Sequence, residues 1–240
     1  MGEHLVFQLY APLAAWGGQA VGQERPSDDH PGRSALLGLI AAALGIRRDD
    51  EDAQQALRDA CRFAIKLLAP GLVLRDFHTI QVPPSARKQQ HLQTRRDELR
   101  EAKLGTMLSF RSYRQDALCL VAVISDDGKY GVERLERALL APEFPLYLGR
   151  KSCPPAAPLN PEIIPAKNLK TALDSYCVAA GLAPLFSSRP RNFRPRYYWE
   201  QGMDAGIAHD YRAPRYDQPV SRRRWQFAPR DEYAWLGGES

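Results

Sequence analysis

Three stretches of the chain concentrate side chains able to hold an anion. The first, RPSDDHPGRSALLGLIAAALG (25 to 45), sets Arg25, His30 and Arg33 in a turn-rich loop before an almost wholly apolar run. The second, between Pro83 and Gln115, carries eight basic residues against three acidic ones. The third lies near the C-terminus, where RPRNFRPRYYW (189 to 199) and RRRWQF (222 to 227) interleave arginines with Phe193, Tyr197, Tyr198, Trp199, Trp225 and Phe227. Guanidinium groups pair with phosphates bidentately and aromatic faces accept stacked bases, so this interleaving is what single-stranded nucleic acid binding needs. Solvated arginines over an aromatic core give the same string, and the pattern alone leaves both readings open.

Smaller motifs carry more specific chemistry. YLGRKSC (147 to 153) places Arg150 and Lys151 after a glycine, where backbone N–H groups and charge can seat a phosphate. A plain surface turn reads the same way, and the GxxxxGK(S/T) spacing of a nucleotide-binding loop is missing. In LRDFHT, Asp76 and His78 stand two apart, so a regular strand puts both on one face and the carboxylate can orient the imidazole. A hydrogen-bonded structural histidine has the same spacing. Neither GxSxG nor HExxH occurs, and no carboxylate pair announces a metal, so nucleotide hydrolysis and metalloenzyme chemistry lack support and no cofactor is implied. Cys61, Cys119, Cys153 and Cys177 form no CxxC pair and read as reduced, mostly buried thiols.

The elements that must position these groups can be read in part. A 240-residue chain with 44% apolar and 25% charged residues is ordinary for one large globular domain or two small ones. Its net charge of +5 points only weakly to an anionic partner. MGEHLVFQLYAP lacks the basic start of a secretory leader, and the run from 35 to 46 falls short of the roughly 20 residues that span a bilayer. A soluble, cytoplasmic protein is expected. HLVFQLY (4 to 10) alternates as a strand. Leu36, Leu37, Ile40 and Leu44 make one stripe of a helix over 33 to 44, with Gly45 as its stop.

A short helix capped by Asp52, a strand over 62 to 68 and an extended stretch over 72 to 80 follow. After the basic excursion come a strand buried on both faces (117 to 125), a helix (132 to 140) and a closing strand (145 to 149). This is the βαββαβ order of an α+β, ferredoxin-like (RRM-like) fold with an insertion between its middle strands. The partition expected is a domain over 1–150 with the insertion at about 81–115, then a smaller, irregular, β-rich region over 151–240. Short strands are expected in that region near 197–200, 225–228 and 233–236.

In order along nearly the whole chain, PLAAWG, RPSDDHPGRSALLGLIAAALGIRRDD, LRDFHT, YLGRKSCP and the closing WQFAPRDEYAWLGG resemble the CasD family, RAMP-superfamily subunits of type I-E CRISPR Cascade. The resemblance implies a ferredoxin-like RNA-binding fold whose basic insertion is a thumb pressed against guide RNA. It implies a non-catalytic subunit that holds the 5′ handle of crRNA and serves antiviral defence. Such a subunit caps a backbone of CasC-like subunits, touches a CasA-like large subunit, and meets target DNA only through the complex.

Residue by residue, the resemblance places RNA contacts at Arg25, Pro26, Arg33 and Ser34, at His78 by the thumb base, and at Arg150 and Lys151. Arg111 and Arg114 would add phosphate contacts, with Tyr113 or Trp16 under flipped bases. A helix entrance is itself an anion site, but Asp28 and Asp29 depart from the family's motif and would repel a phosphate. The question is then whether Arg25 and Arg33 both reach the handle. The competing reading is a metal-independent endoribonuclease, as in related type I-C subunits, with His78 or His91 as base, Lys88 or Lys103 as cation and Tyr113 assisting. A basic protein binding nucleic acid non-specifically is the third.

Overall fold

The computed structural model describes residues 2–18, 20–83, 93–100, 104–125, 128–182 and 193–237. Along the chain run β1 (Gly2–Ala14), β2 (Glu24–Arg25), α1 (Arg33–Ala43), α2 (Glu51–Ala60), β3 (Cys61–Ala69), β4 (Leu72–Val82), α3 (Arg95–Glu98) and β5 (Gly105–Ser125). Then come α4 (Val132–Leu140), β6 (Glu162–Ala166), α5 (Leu169–Ser175), β7 (Arg196–Glu200), β8 (Tyr211–Ser221) and β9 (Gln226–Trp235). The strands join in a sheet ordered β6-β1-β5-β3-β7-β9-β8, with β2 and β4 added alongside β5.

The middle of the sheet comes from the most apolar runs, and both its faces are covered. Antiparallel pairing lines up Leu5, Val123 and Phe63, then Phe7, Val121 and Ile65, then Leu9, Cys119 and Leu67, all on one face. That face packs against α1 through Leu36, Leu37 and Ile40 and against α4 through Val132, Leu135 and Leu139. The alternate residues Val6, Ala64, Leu118, Leu120 and Ala122 face the other way, onto Leu169, Ala172 and Leu173 of α5. Burying one such Leu, Ile or Phe side chain is worth about 1.5–3 kcal/mol, so this three-layered centre holds the fold. α2 is capped by Asp50, whose Oδ1 accepts from the Ala53 amide at 3.1 Å. The cap is therefore Asp50 and not Asp52, which lies inside the first turn.

β5 is long enough to serve two structures. Its second half lies in the sheet; its first half leaves it and pairs with β4 in register from Leu72↔Gln115 to Val82↔Gly105. The bend falls at Asp116, which adopts φ 54° and accepts a hydrogen bond from the Tyr10 hydroxyl at 2.9 Å. Gly71 (φ 67°) faces it, and a Cβ there would sit 2.3 Å from the Gln115 carbonyl oxygen. The result is a two-stranded arm without a core of its own: Leu72, Val73, Phe77 and Met107 are all more than half exposed. β2 joins the arm's other edge, setting Arg25 beside Arg111.

Several expectations are corrected. Residues 145–149 form no strand: Pro142 and Pro145 lack amide donors, and Gly149 turns the chain at φ 87°. The strand that pairs with the outer edge of β1 is instead β6. The two short strands expected near the C-terminus are one, β9, whose register against β8 shifts around Pro229. β8 went unread because Pro214 and Pro219 break its pattern, which an edge strand tolerates. Cys61, Cys119 and Cys153 are buried and Cys177 is exposed. No helix among the described residues is long and apolar enough to cross a membrane.

Candidate nucleic-acid interface

The loop before α1 is a clasp between the two ends of the chain. Asp28 pairs with Arg215 of β8 at 2.7 Å, and Asp29 holds both His30 Nδ1 at 2.6 Å and Arg196 at 3.2 Å. His30 is buried, stacked on Tyr198 at 3.7 Å, and meets Glu232 through Nε2 at 3.0 Å. Asp28 and Asp29 therefore tie up neither Arg25 nor Arg33. Arg33 is taken by Glu200, with which it forms a buried ion pair, and it donates to the carbonyls of Arg58 (2.6 Å) and Cys61 (2.9 Å). The anion site at the start of α1 is also filled from within. Asp217 Oδ2 accepts from the Arg33 amide at 2.7 Å while Arg230 grips both its oxygens at 2.6 and 2.9 Å.

Three expected RNA contacts thus lie inside the protein. Arg33 is 6% exposed, Trp16 3% and Tyr113 7%. The Tyr113 ring is further covered by the Arg150 guanidinium, 4.5 Å from its centroid. In this arrangement none of them can meet a phosphate or a flipped base.

The open cationic surface lies one step away, on the outer side of α1. A cleft of about 330 Å³ is floored by Ser34, Ala35, Gly38 and Ala42 and walled by Arg25, Arg48, Arg150 and Arg222, with Tyr147 and Trp225 at its sides. The floor is shallow because the side chains of α1 that point outward are small, its large ones being used in the core. Arg25 donates to the carbonyls of Gly22 and Glu24 at 2.7 and 2.8 Å. Arg150 donates to those of Ser112 and Arg25 at 3.0 and 3.2 Å, and Arg222 to Ser34 Oγ at 3.3 Å.

None of these four arginines makes an ion pair among the described residues, whereas the clasp arginines all do. Burial first and the neighbouring Arg48 charge second pull the Arg222 pKa down. Asp217 also lines the cleft, but its carboxylate is already shared by Arg230 and the Arg33 amide. The positive charge of the cleft is uncompensated among the described residues, a setting that favours an anionic ligand.

Arg150 is held there by an unusual turn. Gly149 lies so close to the chain after β1 that a Cβ would fall 1.8 Å from the Ala15 carbonyl oxygen. The Ala15 amide in turn donates to Leu148 O at 3.0 Å, and the Leu148 amide to Cys153 O at 2.7 Å. Lys151 follows, exposed. Arg114 is braced inward, donating to the carbonyls of Asp28 (3.0 Å) and Ser27 (3.4 Å).

On the arm, His78 Nε2 and Asp76 Oδ2 are 2.5 Å apart, and Arg111 stands directly across from Asp76 in the register. Side chains on one face of a strand alternate, so His78, Asp76 and Arg111 share a face. His91, Lys88 and Lys103 lie outside the described residues. The structure thus brings Arg25, Ser34 and Arg150 together and leaves Arg111 and His78 on the arm. Sequence reasoning missed Arg48 and Tyr147; the only signal was the pair Arg47-Arg48 just past the stop of α1.

Comparison with known proteins bears on the whole chain. Residues 4–232 match the family model described as CRISPR-associated protein (Cas_Cas5). The CRISPR system Cascade subunit CasD of Escherichia coli (strain K12) is 31% identical over 99% of this chain and 98% of its own length. Among solved structures, a chain of a CRISPR RNA-guided surveillance complex superposes with a TM-score of 0.68 at 24% identity, covering 98% of this chain and 90% of that one. A second, described as a crystal structure of a Cas protein, superposes with a TM-score of 0.59 at 24% identity, covering 97% and 94%.

Proposed function

Because the chain belongs to the CRISPR-associated Cas5 family, we propose that it is a non-catalytic subunit of a type I-E Cascade that binds and caps the 5′ handle of crRNA, in antiviral defence. The observation that carries the reading is the cleft over α1, where Arg25, Arg48, Arg150 and Arg222 line one groove and none of them makes an ion pair among the described residues. Single-stranded RNA supplies the phosphates that would neutralise them. Arg33, Trp16 and Tyr113 drop out of the contact set, and Arg48 and Arg222 take their place. Arg25, Ser34, Arg150 and Lys151 remain, with Arg111 and His78 reaching RNA from the arm.

The fold reading is the ferredoxin-like RAMP one. Its support is the antiparallel order β6-β1-β5-β3, which puts the fourth, first, third and second strands of a βαββαβ unit side by side with helices crossing between them. The β4–β5 arm is the thumb in this reading. Its exposed apolar side chains, Leu72, Val73, Phe77 and Met107, are of the kind a neighbouring subunit covers, and CasC-like backbone subunits are the partners proposed, with a CasA-like subunit and the cytoplasm as the setting. Expressed with CasC-like and CasA-like subunits, the chain should co-purify with crRNA and bind handle RNA more tightly than scrambled RNA of the same length. Equal affinity for the two would mean a non-specific basic protein.

One observation favours the enzymatic alternative: the Asp76-oriented imidazole of His78, with Arg111 on the same face. An imidazole can take the proton of a ribose 2′-hydroxyl and a guanidinium can hold a developing oxyanion. Repeat RNA incubated with the protein in EDTA should stay intact. A discrete cut that disappears in His78→Ala would establish the nuclease instead.

A further inference from the structure

We propose that the cleft continues past α1 to a base-stacking subsite on Trp225, flanked by Arg48 and Arg222, which takes one unpaired base of a single RNA strand together with its phosphate. The inference rests on the RNA-binding reading above and adds where a base goes. Beside the 330 Å³ cleft lies a second cavity of about 670 Å³, and the two share Gly38, Ala42, Arg48, Tyr147, Arg222 and Trp225. These residues mark one continuous groove.

Trp225 sits in the turn between β8 and β9 and is 56% exposed. Its backbone lies at φ 53°, a region that turns usually give to glycine or asparagine and where a bulky residue is an outlier. Backbone of this kind clusters at active sites and ligand clamps. The Arg48 guanidinium lies 4.6 Å from the indole centroid and orients the ring from one face by a cation–π contact, so a base would stack on the opposite face of this exposed side chain. An incoming base would add to a platform already oriented. Arg222 stands beside it, half-buried, with Arg48 as its charged neighbour and no ion pair among the described residues. Of the acidic side chains lining the groove, Asp217 is taken by Arg230, and Asp49 pairs at 3.5 Å with Arg47, which lines the same cavity. Two guanidiniums side by side without a counter-ion, next to an exposed indole, match a nucleotide: phosphate for the cations, base for the ring.

The test uses the full chain and two probes of equal charge: a single-stranded oligoadenylate of about eight nucleotides, a length such grooves accommodate, and an abasic strand of the same length. Stacking of one base should make the oligoadenylate bind about five- to a hundredfold more tightly than the abasic strand. Tryptophan emission should be quenched on binding. Trp225→Phe should keep most of the affinity and lose the quench; Trp225→Ala should lose the preference for the strand with bases and keep the salt dependence. Full preference retained in Trp225→Ala, or equal binding of both strands by the unaltered protein, overturns the stacking subsite and leaves RNA binding standing. Failure of both strands to bind at low salt overturns the RNA-binding reading itself.

Discussion

His30 shows how one side chain can be misread from its neighbours. In the sequence it belongs to a basic loop; in the structure it is an interior imidazole enclosed by Asp29, Glu232 and Arg215 and stacked on Tyr198. Burial pulls its pKa down, but the hydrogen bonds to Asp29 and Glu232 outweigh burial and the opposing Arg215 charge, and the pKa ends above the ordinary 6.5. For Glu232, burial pushes up and loses to His30, Arg215 and Arg230, which hold it at about 2. A raised histidine stabilises the fold fully below its unfolded value and loses that contribution as pH rises through the folded one. A depressed carboxylate stabilises above its unfolded value and loses its contribution as pH falls. The clasp should therefore be strongest between about 4.5 and 6.5, the unfolded values of the two groups. Melting temperature measured against pH should fall on the alkaline side of 6.5 as His30 loses its proton. His30→Gln should flatten that limb and leave the acid limb in place, and a wild-type curve that stays level from 6.5 to 9 would show that the imidazole carries no charge.

At the scale of elements, the turn at Gly149 does more than its short length suggests, since it fixes Arg150 against the arm and presents Lys151. Gly149→Ala adds a Cβ 1.8 Å from the Ala15 carbonyl oxygen at φ 87°. Strain and overpacking together should cost about 2–4 kcal/mol, or roughly 5–15 °C in melting temperature for a chain of this size. Gly128→Ala, where a Cβ meets nothing within 4 Å, is the matched control and should melt like the parent. If Gly149→Ala melts like the parent too, the turn is not the constraint described.

The elements themselves were readable to the degree that their burial follows a period. α1 and α4 show their inward stripes, and the second half of β5, buried on both faces, shows as one apolar run. β8 and α5 did not show, because an edge strand with prolines and a two-turn helix present too little buried surface to impose a pattern. The cleft was half legible. Arg25, Ser34 and Arg150 lie in recognisable motifs and Arg48 follows α1 directly, but Arg222 and Trp225 reach it from the other end of the chain. Arg33 could not be separated from Arg25 without seeing Glu200, which lies 167 residues away along the chain.

At the scale of the molecule, the cleft is assembled from both ends of the chain: the loop after β1, α1, the turn at 147–150 and the turn between β8 and β9. The clasp that joins those ends is internal, so whatever loosens it also dismantles the cleft. A ligand spanning the cleft must then stabilise the whole fold by mass action, by about 2.7 kcal/mol at a free concentration a hundred times its dissociation constant. Handle RNA should accordingly raise the melting temperature by roughly 5–11 °C at low salt. If each of the four cleft arginines neutralises one phosphate of a single strand, a fourfold rise in salt weakens binding about fiftyfold. At fixed RNA the stabilisation then falls by about 2 kcal/mol, and most of the shift should vanish between 50 and 200 mM salt. Arg222→Gln should make the shift smaller and less steep in salt without changing the melting temperature of the free protein by more than a few degrees. A shift that persists unchanged at high salt would mean that apolar contact, not the cleft's unpaired charge, holds the RNA.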